Sequence, residues 1–377
     1  MRTSHRSLAL SVLFIILSSS PSSPLPIEFP IKFSNDDPNS PGVPLVAVKI
    51  GTPPQTRHLY LDSGSDTTWV FCDAFEHSRS SSSFRWVYEA APSCKNSVEC
   101  YDWDTVEYTV EYVDGSSATG DWVTETITAA NDVKITEVVI GCSDRKLSNF
   151  SDADGVLALS RNSLSFASQM AEKFACSKFS FALQDGDRLV FGETERSDFR
   201  RSEMQYIKSV GYSTSSSSLF YAEISRLFMD GVELDVPKKV WKFHPGDESG
   251  GVIFDTGTTM TYFPEAAFQA MVDYFLEFFG EYLHVEGMDS EICFVGKPNS
   301  LKFGEEMPRL VIEFEGGARF VPKVEHLYDK GKKGLTCLNI LPFHQSSEGS
   351  VIGNSLQKGF FWEYDLSSQV VGFAPLD

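Results

Sequence analysis

The chain of 377 residues lacks several features that would each point to a function. Its longest apolar run, around Leu8 to Leu17, is about half of the roughly 20 residues that span a bilayer, so no membrane span is expected. It contains no Cys-x-x-Cys and no His-Glu-x-x-His, and its seven histidines are scattered, so no metal site and no cofactor is expected. The serine-hydrolase elbow Gly-x-Ser-x-Gly is also missing, because Gly353-Asn354-Ser355 has no second glycine in place. Basic residues are scarce, 32 against 52 acidic, and the net charge of −20 repels phosphate backbones and anionic lipid. Nucleic acid is therefore excluded as an expected partner.

What the chain does have is one short motif written twice. Leu61-Asp62-Ser63-Gly64-Ser65-Asp66-Thr67-Thr68-Trp69 recurs 193 positions later as Phe254-Asp255-Thr256-Gly257-Thr258-Thr259-Met260-Thr261-Tyr262. In each copy apolar residues lead into an Asp, then come a small hydroxyl residue, a Gly, a second hydroxyl residue and, seven positions after the Asp, an aromatic. A single copy reads as an ordinary turn, since Asp and Gly are common turn residues. Two copies, followed by Val156-Leu157-Ala158 at 96 positions and by Val351-Ile352-Gly353 at 98, imply two homologous lobes with facing carboxylates.

Around the motifs stand Ile50-Gly51-Thr52-Pro53-Pro54-Gln55, Tyr112-Val113-Asp114-Gly115-Ser116, Asp154-Gly155-Val156-Leu157, Phe179-Ser180-Phe181, Tyr262-Phe263-Pro264-Glu265-Ala266, Ile352-Gly353-Asn354, Glu363-Tyr364-Asp365-Leu366 and Val371-Gly372-Phe373-Ala374-Pro375. This ordered set resembles the pepsin-like aspartic proteases, and most closely their plant nepenthesin-like branch. The resemblance implies a mainly β, bilobal acid-protease fold with a few short helices and a catalytic pair Asp62 and Asp255. Ser65 and Thr258 are expected to donate to the outer carboxylate oxygens, with Thr259 in support, while Gly64 and Gly257 let backbone approach them. Residues 106–122 are expected to form a hairpin flap, with Tyr112 over the cleft and its hydroxyl supported by Trp69.

Three departures from that branch are visible. Ser63 and Thr256 are exchanged relative to the usual pair, Ala158 stands where Gly is usual, and Val113 replaces the Gly after the flap tyrosine. Seven cysteines leave one unpaired. The resemblance implies a Cys293–Cys337 bridge, then Cys72–Cys142 and Cys94–Cys100, with Cys176 left free.

Along the chain, a basic start, an apolar core and a small-residue region make residues 1–23 a signal peptide, so a secreted, extracellular or other endomembrane location is expected. Residues 24–43 form a short segment with no room for a long inhibitory prosegment. Residues 44–204 then make the lobe with the flap, and residues 205–377 the second lobe. Short alternating strands separated by Asp-Gly and Gly-Gly turns predict antiparallel β structure, interrupted by helices over 165–174 and 264–283. The serine-rich stretches 78–83 and 213–218 read as flexible connectors, and Asn149-Phe150-Ser151 is a glycosylation sequon.

The sequence therefore predicts a monomeric aspartic-type endopeptidase of acid pH optimum, acting on polypeptides and preferring bulky apolar residues. The alternative is a catalytically silent member that binds another protein. The complete Asp255-Thr256-Gly257-Thr258-Thr259 loop favours the enzyme.

Overall fold

A computed structural model describes residues 26–34, 42–72, 74–88, 106–147, 153–194, 196–211, 218–279, 283–286, 291–294, 307–330, 335–343 and 349–377. Residues 1–23, Asn149, the pair Cys94 and Cys100, and most of the stretch 213–218 lie outside these.

The two lobes meet in one continuous sheet. Six neighbouring strands run in the order Gln205–Lys208, Val370–Pro375, Phe360–Asp365, Lys178–Ala182, Arg188–Phe191, Ile27–Phe33. Strand Phe360–Asp365 of the second lobe thus pairs with first-lobe strand Lys178–Ala182, with Ser180 opposite Glu363 and Phe179 opposite Tyr364. All six residues of Phe360–Asp365 are buried, because this strand lies in the middle of the seam. Phe179 stacks on Tyr364 with ring centroids 4.8 Å apart, so the seam is fixed by aromatic packing as well as by backbone hydrogen bonds. Strand Ile27–Phe33 pairs with both Arg188–Phe191 and Pro44–Ile50, which makes the segment before residue 44 part of the first lobe's sheet.

Each lobe carries the same crossing of strands beneath its Asp loop. In the first, Gln55–Asp62 runs parallel to Gly155–Ala158, and Trp69–Phe71 lies antiparallel to that strand while running parallel to Lys134–Leu147. In the second, Val252–Phe254 runs parallel to Ser350–Ile352, and Thr261–Pro264 lies antiparallel to it and parallel to Ile340–Phe343. Trp69 sits opposite Val156 and Tyr262 opposite Val351, which accounts for the aromatic seven positions after each Asp. Large aromatics fill both cores. Phe29, Phe166 and Phe191 meet edge to face in the first lobe, and Phe254, Phe320, Trp362 and Phe373 cluster in the second.

Helix Phe166–Phe174 starts at Ser165, whose hydroxyl accepts the Ser168 amide at 3.1 Å. The second long helix is shorter than expected. It spans Glu265–Phe279, because Pro264 closes the preceding strand and Leu283 opens the next.

The serine-rich stretch 78–83 is not a flexible connector. Helix Ala74–Ser80 takes its first part. The rest serves a buried charge: Ser83 donates to Glu125 Oε2 at 2.7 Å, Ser81 Oγ accepts the Thr52 amide at 2.9 Å, and His77 Nε2 stands 3.3 Å from Glu125 Oε1. Burial alone raises the Glu125 carboxyl, but hydrogen bonds from His77, Ser81, Ser83 and the Thr126 amide outweigh it and hold the group below its usual range. The serines are there because a fully buried carboxylate needs donors.

Cys293 and Cys337 face each other in neighbouring strands and are bonded, as are Cys72 and Cys142; Cys176 is a free thiol. Among the described residues no helix is long and apolar enough to cross a membrane.

Candidate active site

The two Asp loops are locked by reciprocal hydrogen bonds. Ser63 N donates to Thr256 Oγ1 at 3.0 Å, and Thr256 N donates to Ser63 Oγ at 3.1 Å. Each hydroxyl then donates onward to the other loop's incoming strand, Ser63 Oγ to Phe254 O at 2.7 Å and Thr256 Oγ1 to Leu61 O at 2.6 Å. All four bonds cross between lobes and are buried, so they hold the lobes in one relative position at the point where the carboxylates meet. The exchange of Ser and Thr keeps both donors and both acceptors.

Each carboxylate is held by two donors from its own loop. Asp62 Oδ1 accepts the Gly64 amide at 2.9 Å, and Oδ2 accepts the Ser65 hydroxyl. Asp255 Oδ1 accepts the Gly257 amide at 2.8 Å, and Oδ2 accepts the Thr258 hydroxyl at 2.5 Å. The glycines also serve the opposing residue: a Cβ on Gly64 would lie 2.8 Å from the Asp255 carboxyl carbon, and one on Gly257 would lie 2.6 Å from that of Asp62. No side chain fits at either position without pushing the pair apart.

Asp62 is buried, whereas Asp255 is half-buried. Burial first and the Asp255 carboxylate second push the Asp62 carboxyl well above the usual range, against the hydrogen bonds from Ser65 and Gly64. The arrangement therefore favours one proton held between the two groups.

Above them the hairpin of Glu107–Glu111 and Ser117–Thr128 pairs Glu111 with Ser117, and a tight turn closes it with Tyr112 N donating to Ser116 O at 2.8 Å. The Trp69 indole N–H donates to the Tyr112 hydroxyl at 2.7 Å. Burial and the Asp62 charge push the phenol well above its usual value, so it is neutral and keeps a proton to donate. A cleft of about 520 Å³ lies between flap and carboxylates, bordered by Tyr112, Asp62, Gly64, Ser65, Asp255, Gly257 and Thr258. Trp69 is fully buried behind it, and Thr259 contributes its carbonyl to Ser355 instead of to the wall.

Two further threonines support the loops and escaped the sequence reading. Thr68 Oγ1 accepts the Ala158 amide at 3.0 Å, and Thr261 Oγ1 accepts the Gly353 amide at 3.1 Å. Each stands six positions after its Asp, so the signal was present in the repeat. Asp66 also lines the cleft and accepts the Ser218 hydroxyl from the second lobe.

Two carboxylates facing across a pseudo-twofold axis beneath a hairpin flap define a bilobal, pepsin-like acid-protease fold. Comparison with known proteins agrees. Sequence profiles described as xylanase inhibitor N-terminal and C-terminal match residues 45–193 and 219–375. Aspartic proteinase nepenthesin-1 of Nepenthes gracilis is 28% identical over 350 residues, covering 88% of this chain and 77% of that protein. Aspartyl protease family protein 2 of Arabidopsis thaliana is 29% identical over 352 residues, covering 86% and 69%. Among solved structures, edgp superposes with a TM-score of 0.77 at 16% identity over 95% of this chain and 96% of that one. Basic 7S globulin from soybean gives 0.72 at 14% identity over 93% and 96%. The chain belongs to the pepsin-like family that groups the plant aspartic proteases with the xylanase inhibitors.

Proposed function

We propose that the protein is an aspartic endopeptidase with an acid pH optimum, in which Asp62 and Asp255 activate one water against a peptide carbonyl. The observation that carries this reading is the completeness of both loops, each with its carboxylate, two donors and a glycine facing the opposite carboxyl. With one proton on the pair, the ionised carboxylate takes a proton from water as its oxygen bonds to the carbonyl carbon. The protonated partner gives its proton to the carbonyl oxygen. The resulting tetrahedral diol collapses when the now protonated carboxyl gives its proton to the amide nitrogen, the C–N bond breaks and the ionised partner takes one diol O–H proton, so an amine and a carboxylic acid leave and the pair again holds one proton. The neutral Tyr112 phenol, anchored by Trp69, closes the cleft and excludes bulk water. Cleavage of an unfolded protein between pH 3 and 7, abolished by pepstatin and untouched by a chelator, is the expected result. Folded protein that cleaves nothing in this range would refute the reading.

A second reading, a silent member that binds another protein, is favoured by the inhibitor description of the matching profiles and by Ala158, which pairs with Asp62 from the neighbouring strand. The intact second loop favours the enzyme, and the same assay separates the two. We also propose that the monomer is exported by residues 1–23 and glycosylated at Asn149. Secretion of a reporter fused to residues 1–23, and a glycosidase-sensitive mass removed by Asn149→Gln, test these points.

A further inference from the structure

The cleft is a peptide site on two independent grounds, the dyad and the flap, and its wall has a charge that neither explains. Besides the dyad it carries three carboxylates, Asp66 beside the first Asp loop, and Glu111 and Asp114 on the flap, with no Lys, Arg or His among its bordering residues. None of the three pairs with a cation among the described residues. Asp66 is met by the Ser218 hydroxyl and, at 3.4 Å, by the Asn162 amide. Asp114 is met by the Ser116 amide at 2.9 Å and hydroxyl at 2.6 Å. Glu111 is exposed on its strand. Neutral donors fix the position of a carboxylate without cancelling its charge, so the field of all three persists in the cleft. The dyad adds one more negative charge when it holds a single proton.

Low-dielectric walls focus such a field, and a cation entering the cleft meets unpaired negative charge from both floor and flap. Apolar surface from Val110, Val113 and Val156 lies in the same cavity, with Val113 the most exposed large apolar residue among those described, at 85%. We infer that the site selects peptides in which a lysine or arginine lies within a few residues of the scissile bond, beside the apolar residues that the valines accept. This rests on the peptidase reading and narrows its substrate class. The motifs alone did not show it, because Asp66 and Asp114 stand in them without a role of their own.

The test uses peptides identical except for one position, lysine or its uncharged isostere norleucine, scanned along the sequence. At one or more positions kcat/KM for lysine should exceed that for norleucine about tenfold at low salt, and the ratio should shrink toward one in about 0.5 M salt. Glu111→Gln should lower the ratio, and because Glu111 holds no other group its fold is not at risk. Asp66→Asn and Asp114→Asn should lower it too. Cleavage with a ratio of one or less at every position would overturn the inference while leaving the peptidase reading intact. If no peptide is cleaved, that reading fails instead, and calorimetric titration of the same peptides against the folded protein decides. Tighter binding of the lysine peptide supports the selectivity, whereas equal, weaker or undetectable binding overturns it.

Discussion

The two Asp loops share a motif and a strand register, Leu61 opposite Leu157 and Phe254 opposite Ile352, but not the hydrogen bonds that close them. In the first, the parallel ladder runs one step further, pairing Asp62 with Ala158, and the next amides, Leu159 N and Ser160 N, donate to Asp62 O and Ser65 O. In the second, the ladder ends at Phe254 with Ile352, and Asn354 N donates to Thr258 O at 2.7 Å. The corresponding bond is therefore displaced by one residue. A physical cause is visible at the small residue: a Cβ on Gly353 would lie 2.2 Å from Met260 O and 2.6 Å from Thr259 O, so the second loop closes over a glycine, whereas the first must leave room for the Ala158 methyl. A single methyl changes which carbonyls a loop can reach, yet both loops still offer their carboxylate the same amide and hydroxyl.

The largest test breaks the pairing itself. Asp62→Asn or Asp255→Asn should each lower kcat by about 10³-fold or more, and the double variant should lose little beyond either single one, since both remove one device. A folded Asp255→Asn protein with wild-type rates would end the dyad mechanism. Next, exchanging the small residues should show that the loops are not interchangeable. Gly353→Ala should cost roughly 1–3 kcal/mol by overpacking against Met260 and Thr259, read as a lower thermal midpoint, whereas Ala158→Gly should cost only about 0.5–1 kcal/mol through backbone entropy. Equal losses would show that the difference in closing bonds has another origin.

The burial difference between the carboxyls gives a smaller, signed effect. Because the Asp62 carboxyl is raised in the folded state, its contribution to stability is full below the ordinary carboxylate range and is lost as pH rises through the raised value. Asp62→Asn should therefore unfold at a higher temperature than wild type at pH 7, and the gap should close by about pH 3. An unchanged gap across that range would contradict the assignment. The smallest effect concerns the two aromatics. Trp69→Phe removes the donor to Tyr112 and should reduce kcat/KM about threefold to tenfold, roughly the worth of one hydrogen bond. Tyr262→Phe in the matching position has no flap to hold and should leave kcat/KM unchanged.

How much of this was legible depended on distance along the chain. The Asp loops and the flap hairpin are local patterns, so residues 62–69, 255–262 and 106–122 could be read directly. The serines at 78–83 were misread because Glu125, the partner of Ser81 and Ser83, lies 42 positions from Ser83 and nothing near them announces a buried carboxylate. The cleft wall was only half visible for the same reason: Val110 and Val156 face the dyad through strand pairing, not through any motif. At Pro264 the helix prediction failed by one residue, because a parallel pairing with Phe343 keeps that proline in the strand.

The seam between the lobes also sets a schedule for synthesis. Strand Phe360–Asp365 supplies the central second-lobe edge to which Lys178–Ala182 pairs, and Val370–Pro375 completes it against Gln205–Lys208. A chain still emerging from the ribosome can close the first Asp loop, yet it has no second-lobe edge against which to seat it until these late residues are free. The first-lobe edge Lys178–Ala182 must wait, with Phe179 and Phe181 lacking the Tyr364 ring they later stack on. The inter-lobe pairing of Lys178–Ala182 therefore forms only after Asp365 has been added to the chain, 110 positions past the second aspartate.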